Sequence, residues 1–251
     1  MPGPRYSTQK CMGRVLIVQN QEYVGIRHTR GGKAEDINVT KMRTTLGKMG
    51  FTDACIEEHK NKTKAEMIRL LEDVAKRTDL KDDYCFICMV LSYGQDGVII
   101  CCDEKHSPTN PTPSMQLPVS ELQECLKGDK CRDLLLKPKI FMLQLEKVPS
   151  SRADSTQSDT HTEKPVKIPR EADFLIYTCV RDYALAAWID GFEKYVLDSE
   201  KTGQPPLEIQ KLLTRINNLY LVHYGSSADI PCVTSLLTRE AYLKIEEPSP
   251  K

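Results

Sequence analysis

Residues 84–99, which read YCFICMVLSYGQDGVI, decide the fold class of this chain. Residues 84–91 are almost entirely apolar, a pattern typical of a strand buried on both faces of a parallel sheet. A turn follows, and the apolar pattern resumes at residues 97–101, which predicts a second, shorter strand. Residues 14–20, RVLIVQN, predict another buried strand. Because strands alternate with helical patterns through the first half of the chain, the sequence predicts an α/β layered fold.

Helical patterns lie between these strands. The best defined begins at Thr63, where Thr63 and Glu66 have the spacing of a capping box and the following apolar residues recur on one helical face. Weaker or shorter patterns predict the remaining elements. The expected helices cover residues 33–48, 120–126 and 207–221, and the expected strands cover residues 51–56, 139–143, 172–180 and 231–237.

The composition excludes several classes of function. The chain has 251 residues, enough for one sizeable core, and its 35 basic and 35 acidic residues give a formal net charge of zero. This balance predicts no nucleic-acid partner and no acidic membrane surface as a partner. The sequence shows no apolar signal-peptide core and no run of membrane-spanning length. We therefore expect a protein of the cytoplasm or nucleus whose ten cysteines are reduced.

Cys85 and Cys88 have the spacing of a metal-binding pair, but they lie inside the strongest predicted strand. Residues three apart in a strand point to opposite faces, so both thiols cannot reach one metal ion. Burial in the core is the better interpretation, because free cysteine is among the most buried residue types. The sequence therefore predicts no metal site, and nothing in it indicates a cofactor.

Residues 149–169 differ in character from the rest of the chain. They are polar, contain three prolines and carry almost no large apolar side chain. Such a segment cannot bury enough surface to offset its conformational entropy, which predicts a mobile linker. Asp154 and Asp159 lie within it.

Three segments resemble the caspase family of cysteine peptidases. LSYGQDGVI (residues 91–99) is similar to the stretch that carries the family's catalytic histidine between a serine and a glycine. KPKIFMLQ (residues 137–144) is similar to the strand that leads into the catalytic cysteine, and IPREADFLI (residues 168–176) to the start of the small subunit. The resemblance covers residues 12–245. It implies a central, mostly parallel six-stranded sheet flanked by helices.

The same resemblance implies a division of the chain. Residues 1–11 are expected to be a short polar leader and residues 12–148 a large-subunit-like region. Residues 149–169 are the intersubunit linker, and residues 170–251 form a small-subunit-like region.

At the positions of the catalytic pair, this sequence has Tyr93 and Glu146. They are 53 positions apart (146 − 93), close to the family's spacing of about 50. A cysteine peptidase needs a thiolate to attack the peptide carbonyl and a histidine to activate it. A phenol with a reference pKa of about 10 is a poor acid–base group near neutral pH, and a carboxylate repels the developing oxyanion. The resemblance therefore implies a catalytically inactive homologue.

The family's substrate pocket is retained only in part. Arg30 matches the first of two arginines that hold a substrate aspartate, Gln144 matches the glutamine beside the catalytic cysteine, and Gly94 matches the oxyanion glycine. The second arginine follows a tryptophan in the family, whereas Ile189 follows Trp188 here, a match that needs a one-residue insertion. We also expect Glu146 to pair with Arg30 and close the vestigial pocket.

Three functions remain open from the sequence. The first is a pseudoprotease that pairs with an active caspase, or with a second copy of itself, through its last strand and so regulates caspase signalling. The second is a divergent cysteine endopeptidase with another nucleophile, for which Cys101 and Cys102, eight and nine positions after Tyr93, are candidate thiols and His28 is the histidine nearest the pocket. The third is a decayed paralogue without a selected role. Cleavage of the linker after Asp154 or Asp159 is a further expectation.

Overall fold

The computed structural model describes residues 4–149, 172–180, 183–198, 203–223 and 230–243. Its strands and helices are as follows: β1 Cys11–Gln19, α1 Gly32–Lys48, β2 Ile56–Lys60, α2 Lys64–Ala75, β3 Asp83–Gln95, β4 Val98–Ile100, β5 Gln116–Pro118, α3 Val119–Glu124, β6 Lys139–Glu146, β7 Phe174–Cys179, α4 Ala184–Phe192, α5 Ile209–His223 and β8 Cys232–Ser235. The predicted linker, with Asp154 and Asp159, lies outside the described residues except for its first residue, Pro149. Within the described ranges, no helix is long and apolar enough to cross a membrane.

The strands form one mixed sheet with the order β2-β1-β3-β6-β7-β8. Neighbouring strands from β2 to β7 are parallel, and only β8 runs antiparallel to its neighbour β7. The short strands β4 and β5 extend the end of β3 as an antiparallel meander. The prediction of a mostly parallel six-stranded sheet flanked by helices is confirmed.

Each face of the sheet has its own hydrophobic core. One face packs against α1, α4 and α5, and the other packs against α2 and α3. Cys85 belongs to the first core and Cys88 to the second, so the two thiols lie on opposite faces of β3 as their spacing predicts. Among the described residues, no cluster of histidine, cysteine and carboxylate side chains is arranged to hold a metal ion.

The capping box at the start of α2 is present. The Glu66 amide donates to Thr63 Oγ1 at 3.3 Å, and the Thr63 amide donates to Glu66 Oε2 at 2.9 Å. These two bonds satisfy donors that the first turn of a helix leaves without partners, which is why the helix begins at Lys64.

Two local predictions were wrong or incomplete. Phe51 is buried but precedes the second strand, because a short 3₁₀ turn at Asp53–Cys55 separates it from β2. Helix α4 was not predicted at all. Seven of its nine residues are buried, so it lacks the polar face that produces a helical period in a sequence.

Residues just before β1 take part in the fold rather than forming only a polar leader. Tyr6 is buried, and its hydroxyl donates to the Asp173 carboxylate at 2.6 Å. Arg5 forms an isolated bridge with Glu240. Arg5 and Tyr6 are therefore fixed against the segments that flank β7 and β8.

Leu136 carries strain that a single substitution can relieve. Its φ of +58° lies in the left-handed region, and its side chain is 56% exposed, so packing does not offset the strain. We expect Leu136→Gly to raise the free energy of unfolding by about 1 kcal/mol, since glycine has no Cβ to clash in this conformation. Urea unfolding monitored by circular dichroism measures the change.

The neighbouring Leu135 is the matched control, because it is equally exposed but has φ −63°. There, glycine only increases the freedom of the unfolded chain, and Leu135→Gly should lower the free energy of unfolding by about 0.5–1 kcal/mol. The strain argument fails if both variants lose stability to the same extent.

Candidate functional site

The two positions that match the catalytic pair lie side by side in the sheet. Tyr93 near the end of β3 is aligned with Glu146 at the end of β6, and the two strands are parallel neighbours. Adjacent strands are about 4.8 Å apart, and aligned residues of neighbouring strands place their side chains on the same face. The carboxyl ends of strands in an open α/β sheet are also where ligands bind. The structure thus brings together Tyr93 and Glu146, which are 53 positions apart in the sequence (146 − 93).

A network of hydroxyl groups holds the end of β3 in place. Tyr23 Oη lies 2.8 Å from Ser92 Oγ and donates to the Ile100 carbonyl at 2.8 Å, and the rings of Tyr23 and Tyr93 are 4.9 Å apart. Burial raises the pKa of Tyr93 above its usual value, and the nearby charge of Glu146 raises it further. The phenol therefore keeps its proton at neutral pH and does not act as a base there.

Arg30 donates hydrogen bonds to three groups of the protein itself. Its Nε donates to the Asn20 carbonyl at 2.8 Å and its Nη2 to Glu35 Oε1 at 2.6 Å, while its Nη1 donates to Glu146 Oε1. The side chain is only 1% exposed. The expected pairing of Glu146 with Arg30 is present. The carboxylates of Glu35 and Glu146 therefore occupy the guanidinium of Arg30.

Gln144 completes the same network. Its amide nitrogen donates to Glu146 Oε1 at 3.1 Å and to Glu35 Oε2 at 3.4 Å, and its amide oxygen accepts from the Leu185 backbone at 3.0 Å. All polar atoms of this side chain therefore face other parts of the protein. Gln144 lies beside Arg30 as the sequence predicts, with both nitrogen-bound hydrogens of its amide and three of the five N–H donors of Arg30 engaged within the protein.

Glu35 is the functional residue that sequence analysis missed. It lies in the first turn of α1, is 5% exposed, and accepts hydrogen bonds from Gln19, Gln21, Arg30 and Gln144. Burial raises the pKa of Glu35, and the charge of Arg30 opposes that rise. Because four donors and no acceptor surround it, we describe it as a carboxylate at neutral pH. Its only signal in the sequence is an acidic residue at the start of a helix, which is common on surfaces.

Gly94 has a structural reason to be glycine. A Cβ at this position would lie 2.4 Å from the Val98 carbonyl oxygen, within the tight hairpin of β3 and β4. The retained glycine is therefore explained by backbone packing, without any role in stabilising an oxyanion.

The assignment of Ile189 to the substrate pocket was wrong. Trp188 and Ile189 lie in the interior of α4, where Trp188 is fully buried and its ring is 5.9 Å from that of Tyr177. Ile189 is also a member of the hydrophobic core and does not line the cleft. The match failed because Trp188, which lies in an apolar helix, was aligned through a one-residue insertion with the tryptophan of the family's substrate pocket.

An open cleft of about 420 Å³ lies over Arg30, Tyr93 and Glu146. Its charged and aromatic lining consists of Arg27, His28, Arg30, Tyr93 and Glu146. The remaining lining residues are Gly25, Ile26, Thr29, Gly31, Thr109 and Pro149. His28 thus lies at the pocket as the sequence predicts, on an exposed part of the loop.

The two thiols that precede the Pro-rich loop are not activated. Cys101 is fully buried, and Cys102, which lies beneath the cleft with Tyr23 and Tyr93, is 7% exposed. Burial raises the pKa of each thiol to about 12. Cys102 also donates to the Glu22 carbonyl at 3.2 Å. A thiol in this environment stays protonated at neutral pH, which opposes a role as nucleophile.

Comparison with known proteins places this arrangement in a family. Residues 12–242 match the family described as Caspase domain. Caspase-7 of Gallus gallus is 27% identical, the match covering 93% of this chain and 77% of the relative, and caspase-3 of Bos taurus is 28% identical, with 92% and 84% covered.

Among solved structures, pro-caspase-1 titled "structure of pro-sf-caspase-1" aligns with a TM-score of 0.69 at 21% identity, covering 95% of this chain and 97% of that one. The crystal structure of caspase-1 from Spodoptera frugiperda aligns with a TM-score of 0.70 at 20% identity, covering 96% and 93%. At these identities the structural likeness shows the fold, and the match over residues 12–242 shows the family. Taken with the strand order and the paired positions at the ends of β3 and β6, these matches establish that the chain belongs to the caspase family of cysteine-peptidase homologues.

Proposed function

We propose that this protein is a catalytically inactive caspase homologue that regulates apoptotic or related caspase signalling by pairing with an active caspase. The observation that carries the proposal is the ion pair between Glu146 and Arg30. By resemblance, Glu146 stands at the position of the family's nucleophile and Arg30 at that of its substrate-binding arginine, so the ion pair supports a site that is closed to the family's reaction.

The chemistry of the site supports inactivity. Peptide cleavage by this family needs a thiolate and a group that exchanges protons near neutral pH. Glu146 accepts from both Arg30 and Gln144, contacts that stabilise the anion and lower its nucleophilicity. Tyr93 holds its proton because burial raises its pKa. A carboxylate in this place also disfavours the oxyanion that forms when a peptide carbonyl is attacked.

The edge of the sheet supports pairing. Strand β8 is the last strand in the sheet order, with β7 as its single strand neighbour among the described residues. Cys232 and Val233 on this strand are exposed, and Ile230 just before it is 51% exposed. An exposed, partly apolar edge strand is a template for another strand. The resemblance to caspases implies pairing along this same edge.

Two measurements separate this proposal from a divergent peptidase. Purified protein incubated with Asp-containing peptides should show no turnover, and a thiol-reactive probe should not change that result. Added to an active caspase, the protein should change the rate of peptide cleavage in a saturable manner. Turnover by the protein alone that alkylation abolishes would establish the divergent peptidase instead.

Val233→Lys tests the pairing surface. A lysine on an edge strand opposes the addition of another strand, so we expect pairing to be lost while the fold is retained. Sedimentation velocity with and without an active caspase measures the association. Ile37→Lys is the matched control, because Ile37 is similarly exposed but lies on α1. Equal pairing by both variants would contradict the assignment of β8.

The native cysteines provide an independent readout. Cys11 and Cys232 are both exposed, but Cys11 begins β1 and Cys232 begins β8. Pairing through β8 should slow the alkylation of Cys232 and leave that of Cys11 unchanged. Mass spectrometry of peptides from the mixture and from the protein alone measures both rates in one experiment.

A further inference from the structure

The cleft presents two polar atoms to which no described residue forms a hydrogen bond. Glu146 uses Oε1 for its bonds to Arg30 and Gln144, and its Oε2 accepts no hydrogen bond from a described residue. Tyr93 Oη likewise has no hydrogen-bond partner among the described residues, although its ring packs on Tyr23. Both side chains line the cleft, and they come from aligned positions on β3 and β6.

The charge beneath the cleft is negative, whereas a site that binds acidic side chains needs positive charge. Arg30 contributes one positive charge, while Glu35 and Glu146 contribute one negative charge each, which leaves a net charge of −1. Arg30 has already used Nε, Nη1 and Nη2 for internal bonds. An acidic ligand therefore meets excess negative charge, whereas a cation meets a carboxylate oxygen with unused capacity.

The aromatic side of the cleft favours the same class of ligand. A cation near the face of a tyrosine ring is attracted by the ring quadrupole, and the hydroxyl of Tyr93 adds an oxygen acceptor. The outer part of the cleft is different, because Arg27 and His28 line it and are exposed. A ligand that satisfies both parts places its cation near Glu146 and an acidic group near Arg27.

We propose that the cleft binds an extended peptide through a lysine or arginine side chain with an acidic residue beside it. Glu146 Oε2 accepts from the ammonium or guanidinium group, Tyr93 flanks that group, and Arg27 pairs with the neighbouring carboxylate. The cleft volume of about 420 Å³ lies within the usual range for ligand sites and exceeds the needs of one side chain. This binding is separate from the pairing proposed through β8.

Fluorescence polarisation with short labelled peptides tests the proposal. The peptides share one sequence and differ at a single position, which holds lysine, arginine, norleucine, glutamine or aspartate before a constant glutamate. We expect lysine and arginine to bind about fivefold more tightly than norleucine, as a partly exposed charge-assisted hydrogen bond allows, and aspartate to bind most weakly. The preference for lysine over norleucine should shrink as the salt concentration rises.

Glu146→Gln should abolish this preference, whereas Glu72→Gln, at an exposed position on α2, should retain it. If Glu146→Gln unfolds the protein, Arg27→Glu provides a second test with two further peptides that hold glutamate or lysine at the neighbouring position, because it should reverse the preference for glutamate there. Val233→Lys should bind the peptides like the parent protein, so loss of pairing and loss of peptide binding are distinguished. Equal affinity for lysine and norleucine, tightest binding of the aspartate peptide, or no binding at millimolar concentration would each overturn the proposal.

Discussion

Arg30→Leu should be strongly destabilising, lowering the free energy of unfolding by about 3–5 kcal/mol. The substitution leaves the buried carboxylate of Glu35 without its cationic partner, and the remaining donors are neutral amides. Breaking a buried pair by removing one member is costly because the other charge stays in a medium that solvates it poorly. At roughly 2–4 °C per kcal/mol for a chain of this size, the melting temperature should fall by about 6–20 °C. Urea and thermal unfolding measure the two quantities.

A double substitution shows whether the loss of stability in Arg30→Leu comes from the unpaired charge of Glu35 or from lost packing around Arg30. Arg30→Leu/Glu35→Leu removes both members of the pair and should recover most of the lost stability, since apolar side chains of similar size replace buried ion pairs well. Glu146 is 19% exposed and can turn towards water in this variant. Arg43→Leu is the surface control. Its partners Asp53 and Glu58 are more exposed, and it should cost about 1 kcal/mol or less. A double variant as unstable as the single one would contradict the argument.

The pH dependence of the Arg30→Leu defect follows from Glu35. Burial raises the pKa of this carboxyl above its ordinary value of 4.5, and removing Arg30 removes the charge that opposes the rise. A carboxyl whose pKa is higher in the folded state than in the unfolded state binds more protons when folded, so stability falls as pH rises through that interval. The defect should therefore be largest at neutral pH and shrink as pH falls towards about 4.5. Unfolding curves at several pH values, with the parent protein alongside, measure this.

Gly13→Ala should prevent stable folding. Gly13 lies in β1 opposite Cys85 of β3, and a Cβ there would lie 1.9 Å from the Cys85 carbonyl oxygen. Its φ of +131° is also a conformation that residues with a Cβ rarely adopt. Because the obstructing atom belongs to the backbone of a central strand, the sheet itself has to shift. We expect a loss exceeding about 4–5 kcal/mol, seen as little soluble protein and no cooperative unfolding transition.

Gly97→Ala separates the cost of the steric clash at Gly13 from the cost of placing a residue with a Cβ at positive φ. Gly97 has φ +73°, but a Cβ there meets no atom within 4 Å. This variant should fold and lose about 1 kcal/mol, the usual cost of a left-handed conformation for a residue with a side chain. If Gly13→Ala unfolds at the same urea concentration as Gly97→Ala, the close approach of β1 and β3 does not limit the fold.

Prediction from sequence succeeded where the relevant signal is local. β1 and β3 were recognised because strands buried on both faces are continuous apolar runs, and α2 because its cap and apolar stripe lie within one short segment. The absence of such a local signal explains why α4 was not predicted. A helix buried on nearly all sides has no polar stripe, so its nature depends on the α1 and α5 helices that cover it.

The sequence by itself determined the family and the buried strands, and it predicted that Tyr93 and Glu146 stand at the positions of the catalytic pair, because each of these inferences uses residues that are neighbours or stand at a known spacing. Only the tertiary structure decided that Glu35 lies under Arg30 and that Ile189 lies in the core. The physical reason is that a charge can be buried only where partners from other segments surround it, and Arg30 and Glu146 are 116 positions apart in the chain. An acidic residue at the start of a helix therefore joins the buried network of Arg30, Gln144 and Glu146 only once the sheet has brought β6 beside β3.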